Sequence, residues 1–291
     1  MEDRALFGPA GNCDRFYAEG HKSTKEVFKW LSEIGLDSYE YQCGNGIRTK
    51  LETFAALGEE AKKYDIHLSL HAPYYISLSG VEVDKRLKSL DYIKASVDAA
   101  EALGAKSVII HTGSASKISR EEAVALAADT MARTLDMLGD TDIHLCLETM
   151  GKKNQLGTLD EVLTLCSADK RLYPCVDFGH LNARDVGGVF VTADDYRRLF
   201  DRVGERLGEE KAKYMHCHFS KIEYTAQGEK KHLTFEDNTF GPDYEPLCEA
   251  IAKEGLCPRI ICESAGTQAD DALAMKRSYI GMQSAKCKVQ S

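Results

Sequence analysis

Short apolar runs alternate with longer segments of helical periodicity along the whole of this 291-residue chain. Eight of the runs are candidate strands, and they cover Ala5–Phe7, Tyr39–Gln42, His67–Leu70, Ser107–Ile110, His144–Leu147, Tyr173–Val176, Lys213–His218 and Arg259–Cys262. This alternation is typical of a parallel sheet whose strands are joined by crossover helices. Several runs lack an in/out pattern of apolar and polar residues, as expected for strands that are buried on both faces.

The segments between the runs carry helix start and stop signals. A Ser or Thr with an acidic residue three positions later occurs at Ser23/Glu26, Ser119/Glu122, Thr158/Glu161 and Thr192/Asp195. This is the spacing of a capping box, and Gly35 and Gly139 stand where helix C-caps are expected. No linker divides the chain, and an eight-stranded α/β barrel needs ~250 residues. The sequence therefore predicts one domain over residues 1–291, a TIM-type (β/α)8 barrel.

Composition limits the classes of function. The net charge of −9 argues against a protein that coats itself with nucleic acid, although a local basic strip remains compatible with it. The ten cysteines form no Cys-x-x-Cys pair, so a zinc ribbon is not expected. No apolar run approaches the ~18 residues of a membrane span, and the first residues do not resemble a signal peptide. We expect a reduced, cytoplasmic protein without a membrane partner.

Six consecutive predicted strands end at a residue type that binds metals. These residues are His71, His111, Glu148, Asp177, either His216 or His218, and Glu263. In a parallel barrel the carboxyl ends of the strands share one rim, so the side chains are expected to converge there. A set of imidazoles and carboxylates suits Zn, Mn or Fe better than Ca or Mg. Because one ion needs about four ligands, two or more ions are plausible.

Each of these residues taken alone has an ordinary structural explanation. Asp177 can cap a helix, and a histidine after a strand commonly bonds to backbone. His180 and His232 are further candidates for the rim, although His232 is equally explained as a solvated loop residue. His216 and His218 are two apart in a strand, so both point to the same face. The combined set, rather than any member, predicts the site. The long polar segments 179–192 and 220–244 are expected to be irregular loops on the same rim.

The ordered motifs resemble those of the endonuclease IV group, the family 2 apurinic/apyrimidinic endonucleases, within the xylose-isomerase-like TIM barrels. The matching stretches are HAPY at 71–74, HTGS at 111–114, ET at 148–149 with Gly157, DFGH at 177–180, His216 through SK at 220–221, and CES at 262–264. They occur in the same order over roughly residues 65 to 265.

The resemblance implies two or three metal ions, usually zinc with Mn or Fe as alternatives. It also implies cleavage of DNA 5′ to an abasic site by a water that the ions activate. The first ion would be held by His71, His111 and Glu148. Glu148 would bridge to a second ion, held also by Asp177, His216 and Glu263, while His180 would belong to a third. Glu148 and Glu263 would orient or deprotonate the water, and Tyr74 would stand beside the DNA.

One departure from the family pattern concerns the third ion. The family supplies an Asp-x-His motif there, and this chain has Lys230-Lys231-His232. Glu229 is a candidate replacement ligand, and a weak or absent third ion is the alternative. Lys230 could instead direct positive charge towards a phosphate. Arg48, in the loop after the second predicted strand, is a further candidate for contacting DNA.

A different enzyme class fits part of the same set. Sugar isomerases and epimerases of the xylose-isomerase-like type hold one metal with Glu, Asp, His and Glu. Glu148, Asp177, a histidine of the seventh strand and Glu263 match that scheme, with the two glutamates moving the substrate proton. His71 and His111 are not needed there, and so they favour the endonuclease-like hypothesis. A barrel that keeps its metals but acts as a binding protein or on another phosphodiester is the third alternative. Abasic DNA is the partner that the resemblance implies, and no protein partner is implied.

Overall fold

A computed structural model describes residues 2–289 of the chain. In chain order its elements are β1 (Leu6–Pro9), α1 (Asp14–Ala18), α2 (Thr24–Ile34), β2 (Ser38–Gln42), α3 (Leu51–Lys63), β3 (His67–His71), α4 (Val83–Leu103), β4 (Ser107–His111), α5 (Arg120–Leu138), β5 (His144–Glu148), α6 (Leu159–Cys166), β6 (Leu172–Asp177), α7 (Phe178–Arg184), α8 (Ala193–Leu207), α9 (Glu209–Lys213), β7 (His216–Phe219), β8 (Ile222–Thr225), β9 (Gly228–His232), α10 (Glu245–Glu254), β10 (Arg259–Cys262) and α11 (Gln268–Val289).

Eight parallel strands form one sheet that curls into a nearly closed barrel. The hydrogen-bonded order is β1-β10-β7-β6-β5-β4-β3-β2, and β8 with β9 forms a separate hairpin. The seam between β1 and β2 is bridged at Ala10 and Glu40, and Asp37 N donates to Phe7 O at 2.9 Å. Gly8 is required at this seam, because a Cβ there would lie 1.9 Å from Ser38 O. The predicted eight-stranded α/β barrel is confirmed, and the single domain over 1–291 stays a prediction.

Strand register places the predicted rim residues side by side. His111 pairs with Glu148 across β4 and β5, and Asp177 pairs with His218 across β6 and β7. Beneath them the barrel interior is closed by Ile109, Cys146 and Cys175. The rim side chains therefore rest on a packed floor and meet at the carboxyl end.

The capping signals locate the starts of four helices, α2, α5, α6 and α8. Ser23/Glu26 and Thr158/Glu161 form reciprocal capping boxes, and Ser119 accepts a hydrogen bond from Glu122 N. Gly35 ends α2 with φ at 87°, a left-handed conformation that glycine adopts without strain.

Three predictions need correction, namely the start of one strand and the nature of two segments that were expected to be irregular loops. The seventh strand begins at His216 rather than Lys213, because residues 209–213 form the short helix α9. The segment 179–192 is not a plain loop, since helix α7 occupies its first part and is capped by Asp177. The segment 220–244 contains the β8/β9 hairpin, whose two strands pair with each other and stand outside the barrel sheet.

Two observations concern membrane spans and the state of the cysteines. None of the described helices is both long and apolar enough to cross a membrane. The cysteines with described side chains are buried free thiols, in agreement with the predicted reduced state. The cytoplasmic location stays a prediction.

Candidate metal centre

A cavity of about 580 Å³ opens at the carboxyl ends of the barrel strands. Its described lining is largely polar and comprises Ala10, Gln42, His71, Tyr74, His111, Glu148, Met150, Lys152, Gln155, His180, Glu229, His232, Glu263 and Gln268. Most of the predicted ligands are therefore at its surface, and Asp177 and His218 are fully buried in the floor.

The first group of ligand atoms joins β3, β4 and β5. His71, His111 and Glu148 each offer an atom within 4.8 Å of the others. His71 Nδ1 lies 2.8 Å from Ala72 O, so a proton on that nitrogen leaves Nε2 with its lone pair. His71 Nε2 and His111 Nε2 lie 3.5 and 3.1 Å from the same atom, Glu148 Oε2. The three predicted ligands of the first ion are thus brought together.

The second group is formed by Glu148, Asp177, His218 and Glu263. His218 Nδ1 lies 3.0 Å from Glu148 Oε1 and 3.6 Å from Glu263 Oε1. Asp177 serves as a helix cap as well, since its Oδ1 accepts from His180 N at 2.7 Å. The capping role and a ligand role use different oxygens and are compatible.

The structure corrects the choice between the two histidines of β7. His218, not His216, lies with the carboxylates of the second group. His216 comes two residues earlier in the strand and so lies about 7 Å deeper in the barrel. Its Nε2 lies 2.9 Å from Glu40 Oε2, and burial lowers the pKa of the ring to about 4. His216 also lies near Cys175 and His218 in a fully buried group beneath the cavity floor.

The third group contains His180, His232 and Glu263. His180 Nδ1 lies 2.9 Å from Thr149 O, which leaves Nε2 directed at Glu229 Oε2, 3.5 Å away. His232 is held through Nδ1 by Ser220 Oγ at 2.8 Å. His180 and His232 are therefore both oriented by bonds from one ring nitrogen, with the other nitrogen available.

A β-bulge in the hairpin brings Glu229 to the same side as His232. In the register Ile222 pairs with His232 and Tyr224 with Glu229, and the shift between these pairs leaves Lys230 as the extra residue. Ile222 and Tyr224 are two apart and share a face, so their partners Glu229 and His232 share it too. In a regular strand, residues three apart would face opposite sides.

Lys230 is not brought to the cavity. Its side chain is 56% exposed and pairs with Glu223 on the outer side of the hairpin. The bulge thus turns away the residue that stands where the family has Asp, and the predicted role of Lys230 towards substrate is not supported. Among the described lining residues the lysine is Lys152.

Two other predicted substrate contacts differ in position. Tyr74 lines the cavity with its ring centroid 5.5 Å from that of His111. The edge of the Tyr74 ring faces Gly44, where an added Cβ would lie 2.1 Å from the ring. Arg48 is exposed in the loop after β2 and is not among the lining residues described.

The donor set fits divalent metal ions. Within residues 2–289, Glu148 Oε2 and Asp177 Oδ2 are buried and make no well-aligned hydrogen bond, and their polar neighbours are the imidazole nitrogens His111 Nε2 at 3.1 Å and His180 Nδ1 at 3.4 Å. Buried carboxylate oxygens without a partner are costly unless a cation or donor satisfies them. Burial opposes ionisation of Glu148, but the His218 and His111 imidazoles outweigh it and hold its pKa well below the usual range. The carboxylate oxygens and imidazole nitrogens of these groups form a nitrogen and oxygen donor set that suits zinc, manganese or iron.

Glu40 is a site residue that the strand-end pattern did not reveal. It lies in the middle of β2, is fully buried and contacts both His216 and His218. The signal for it was a carboxylate inside a predicted strand, at a position two residues from Gln42 and hence on the same inward face. A charge in such a strand must meet a partner inside the barrel.

Comparison with known sequences identifies the family of the chain. The profile of the xylose isomerase-like TIM barrel family matches residues 28–279. The chain belongs to this family. Within it, a "Probable endonuclease 4" of Acholeplasma laidlawii is 30% identical over 222 residues, covering 73% of this chain and 72% of the relative. An uncharacterised protein of Methanocaldococcus jannaschii is 32% identical over 248 residues, covering 84% and 88%. The resemblance to the endonuclease IV group is confirmed.

Solved structures agree on the fold and do not separate the activities. A D-tagatose 3-epimerase-like protein superposes with a TM-score of 0.68 at 18% identity, covering 97% of this chain and 99% of that one. Endonuclease IV from Thermus thermophilus gives a TM-score of 0.67, also at 18% identity, covering 96% and 99%. Function must therefore be argued from the site.

Proposed function

We propose that this protein is a metal-dependent phosphodiesterase of DNA repair that cleaves DNA 5′ to abasic sites. The observation that carries the proposal is the joining of three ligand groups into one cluster. Glu148 belongs to the first and second groups, and Glu263 belongs to the second and third. Such sharing is expected where neighbouring ions act on one phosphodiester, and it exceeds what a single ion needs.

The ligand assignment follows the groups. We assign His71, His111 and Glu148 to a first ion, and Glu148, Asp177, His218 and Glu263 to a second. His180, His232 and Glu229 are assigned to a third, with Glu229 taking the place of the family's Asp. Zinc is the metal we propose, with manganese or iron as alternatives.

The chemistry of the reaction divides between ions and protein. Divalent ions held there would neutralise charge developing on the phosphodiester and make water a better nucleophile near neutral pH. The protein orients the ligands and shapes the cavity. Glu263 is half-buried at the edge of the cavity, where its carboxylate can orient the attacking water or accept its proton. We expect Tyr74, which is 57% exposed beside His111, to contact a sugar exposed by a missing base.

Nicking of an abasic duplex tests the proposal. Protein loaded with Zn or Mn is expected to nick a duplex that contains one abasic site and to leave the matched undamaged duplex intact. The variant His111→Asn removes a ligand of the first group but none of the Glu148, Asp177, His218 and Glu263 set. It should lose at least ~100-fold in rate, since one ligand of a catalytic ion is missing. Loaded wild-type protein that leaves the abasic duplex intact with both metals would reject the proposal.

The second candidate function is a sugar epimerase with one metal. One observation favours it: the second group consists of Glu, Asp, His and Glu. These four residues can bind one metal ion without a further protein ligand. In that case His111→Asn would leave activity on a ketose nearly unchanged, because His111 lies outside that group. The same variant therefore separates the two hypotheses.

Lys152 is the cation that we expect to meet a substrate phosphate. It lies at the cavity edge, whereas Lys230 is paired with Glu223 outside it. Lys152→Ala should raise KM for abasic DNA about 5- to 10-fold, in line with ~1–1.4 kcal/mol for one charge-assisted contact. Lys230→Ala is the matched control and should leave KM within about twofold of the wild-type value. Equal effects of the two substitutions in steady-state kinetics would contradict this placement.

A further inference from the structure

Glu40 is an ionisable group buried inside the barrel with no role in the ligand groups. Its exposed fraction is 0%, and an ionised carboxylate at such depth is strongly destabilising unless it is paired and hydrogen-bonded. Ser69 Oγ donates to Glu40 Oε2 at 2.9 Å, and His216 Nε2 lies 2.9 Å from the same oxygen. His218 Nε2 lies 3.1 Å from Oε1 and 3.3 Å from Oε2, and Gln42 Nε2 of β2 itself donates to Oε1 at 3.1 Å. Strands β3 and β7 thus supply polar partners to this carboxylate of β2.

His218 connects Glu40 to the metal centre through the two nitrogens of one ring. While Nε2 faces Glu40, Nδ1 faces Glu148 and Glu263 on the cavity side. If Nε2 donates its proton to Glu40, Nδ1 carries the lone pair that a metal ligand needs. The carboxylate therefore selects the tautomer and fixes the ring in the orientation in which Nδ1 meets the second group.

His216 shares the carboxylate but not the connection to the cavity. Its Nε2 contacts Glu40, while its Nδ1 is buried and takes part in no hydrogen bond among the described residues. The residue is not part of the cavity lining that the structure describes. Its contribution is a second imidazole hydrogen bond to Glu40, which fixes the position of the carboxylate.

We propose that Glu40 is the positioning residue of the second ion, acting through His218 by holding the ring with Nδ1 directed at Glu148. This inference rests on the metal centre of the proposed function. It assigns a role to a residue that touches neither the ions nor the substrate.

Ion affinity of matched variants tests the role of Glu40. In Glu40→Gln one carboxylate oxygen becomes an NH2 group. In the Oε1 position this group faces the donors His218 Nε2 and Gln42 Nε2, and in the Oε2 position it faces His216 Nε2 and Ser69 Oγ, so either placement sets a donor against donors. We expect about a 10- to 100-fold loss of affinity for the most weakly held Zn, measured by chelator competition on the full chain. Ser69→Ala removes a donor to Glu40 but keeps both imidazole contacts, and it should stay within about threefold of wild type.

Two further readouts separate positioning from folding. Metal-free Glu40→Gln should still unfold cooperatively, which shows that the loss of affinity does not come from a misfolded barrel. In zinc-loaded wild-type protein, ¹⁵N NMR of the histidines should show His218 with its proton on Nε2 and Nδ1 bound to zinc. Wild-type affinity in Glu40→Gln, or a proton on His218 Nδ1, would overturn the inference while leaving the metal centre standing. Wild-type protein that binds no zinc would defeat the metal centre and this inference together.

Discussion

At the scale of single residues, the centre depends on using the two nitrogens of each imidazole differently. His71 and His180 place Nδ1 against the backbone oxygens of Ala72 and Thr149, while their Nε2 atoms face carboxylates of the centre. His218 does the reverse, with Nε2 on Glu40 and Nδ1 on Glu148. In each case a fixed partner on one side leaves the opposite nitrogen directed at the cluster, which reduces the conformational cost of binding an ion.

The two histidines of β7 should therefore differ in their effect on metal content. His218→Asn removes a donor from the second group and should lower the metal content by about one ion per chain. His216→Asn, at a buried position in the same strand, removes a contact to Glu40 but no ligand, so it should retain the wild-type number of ions at saturating zinc. Elemental analysis of both purified variants checks this. Loss of an ion from His216→Asn with retention in His218→Asn would reverse the assignment.

The sequence identifies which residues lie at the ends of strands, but it does not show how deep each of them lies in the barrel. His71, His111, Glu148, Asp177 and Glu263 follow from the rule that parallel strands share one carboxyl rim. His216 and His218 share a face by the two-residue period, and only the register with Asp177 shows which one is level with the carboxylates. Glu40 lies inside a strand rather than at its end, so its partners from β3 and β7 depend on barrel closure.

At the scale of elements, the β8/β9 hairpin decides which carboxylate reaches the third group. The bulge at Lys230 reverses the alternation between Glu229 and His232, so both face His180. Gly151 permits the close approach, because a Cβ there would lie 2.6 Å from Glu229 Cβ and 3.1 Å from His180 Cδ2. Sequence spacing alone could not predict this, since the bulge is set by pairing with β8.

Moving the carboxylate from position 229 to position 230 tests whether the bulge turns position 230 away from His180. Glu229→Gln should lose the third ion. Glu229→Gln combined with Lys230→Asp recreates the family's Asp-x-His spacing. We nevertheless expect this double variant to lack the third ion, because position 230 faces away from His180. Metal content per chain, measured at equal free zinc, compares the two variants. Recovery of the wild-type content in the double variant would show that position 230 can face the centre.

At the scale of the whole molecule, the barrel follows largely from local patterns. Eight apolar runs and the capping boxes at Ser23 and Thr158 agree with one another, and such agreement across levels favours a single fold. The parts that sequence did not predict depend on packing between distant segments. The β8/β9 hairpin is one such part. Helix α7 is an exception: it forms within the segment expected to be irregular, and its cap is a local contact from His180 N to Asp177.

The ion pair between Arg171 and Asp169 makes a contribution to stability that depends on pH. The Arg171 guanidinium bonds to Asp169 and to Leu135 O and Gly139 O, so it joins the end of α5 to the start of β6. Hydrogen bonds from Arg171 lower the pKa of Asp169 to about 2. Since the pKa is depressed on folding, the ionised form stabilises the native state above the unfolded pKa of ~3.9, and that contribution is lost as the pH falls towards about 2.

The substitution Asp169→Asn should reduce the free energy of unfolding by on the order of 1 kcal/mol at pH 7, because the side chain is partly solvated. Denaturant unfolding of the wild type and the variant at pH 7 and near pH 3 measures the difference, which should shrink at the lower pH. A difference that stays constant between the two pH values would show that the ionised carboxylate is not its source.

We propose that ligands from successive strands form one centre for several ions. Elemental analysis of the purified protein, loaded with zinc and freed of weakly bound metal, tests it most directly. We expect about two or three ions per chain, since the shared carboxylates Glu148 and Glu263 join three groups. A content of about one ion per chain would contradict it and would favour the epimerase hypothesis.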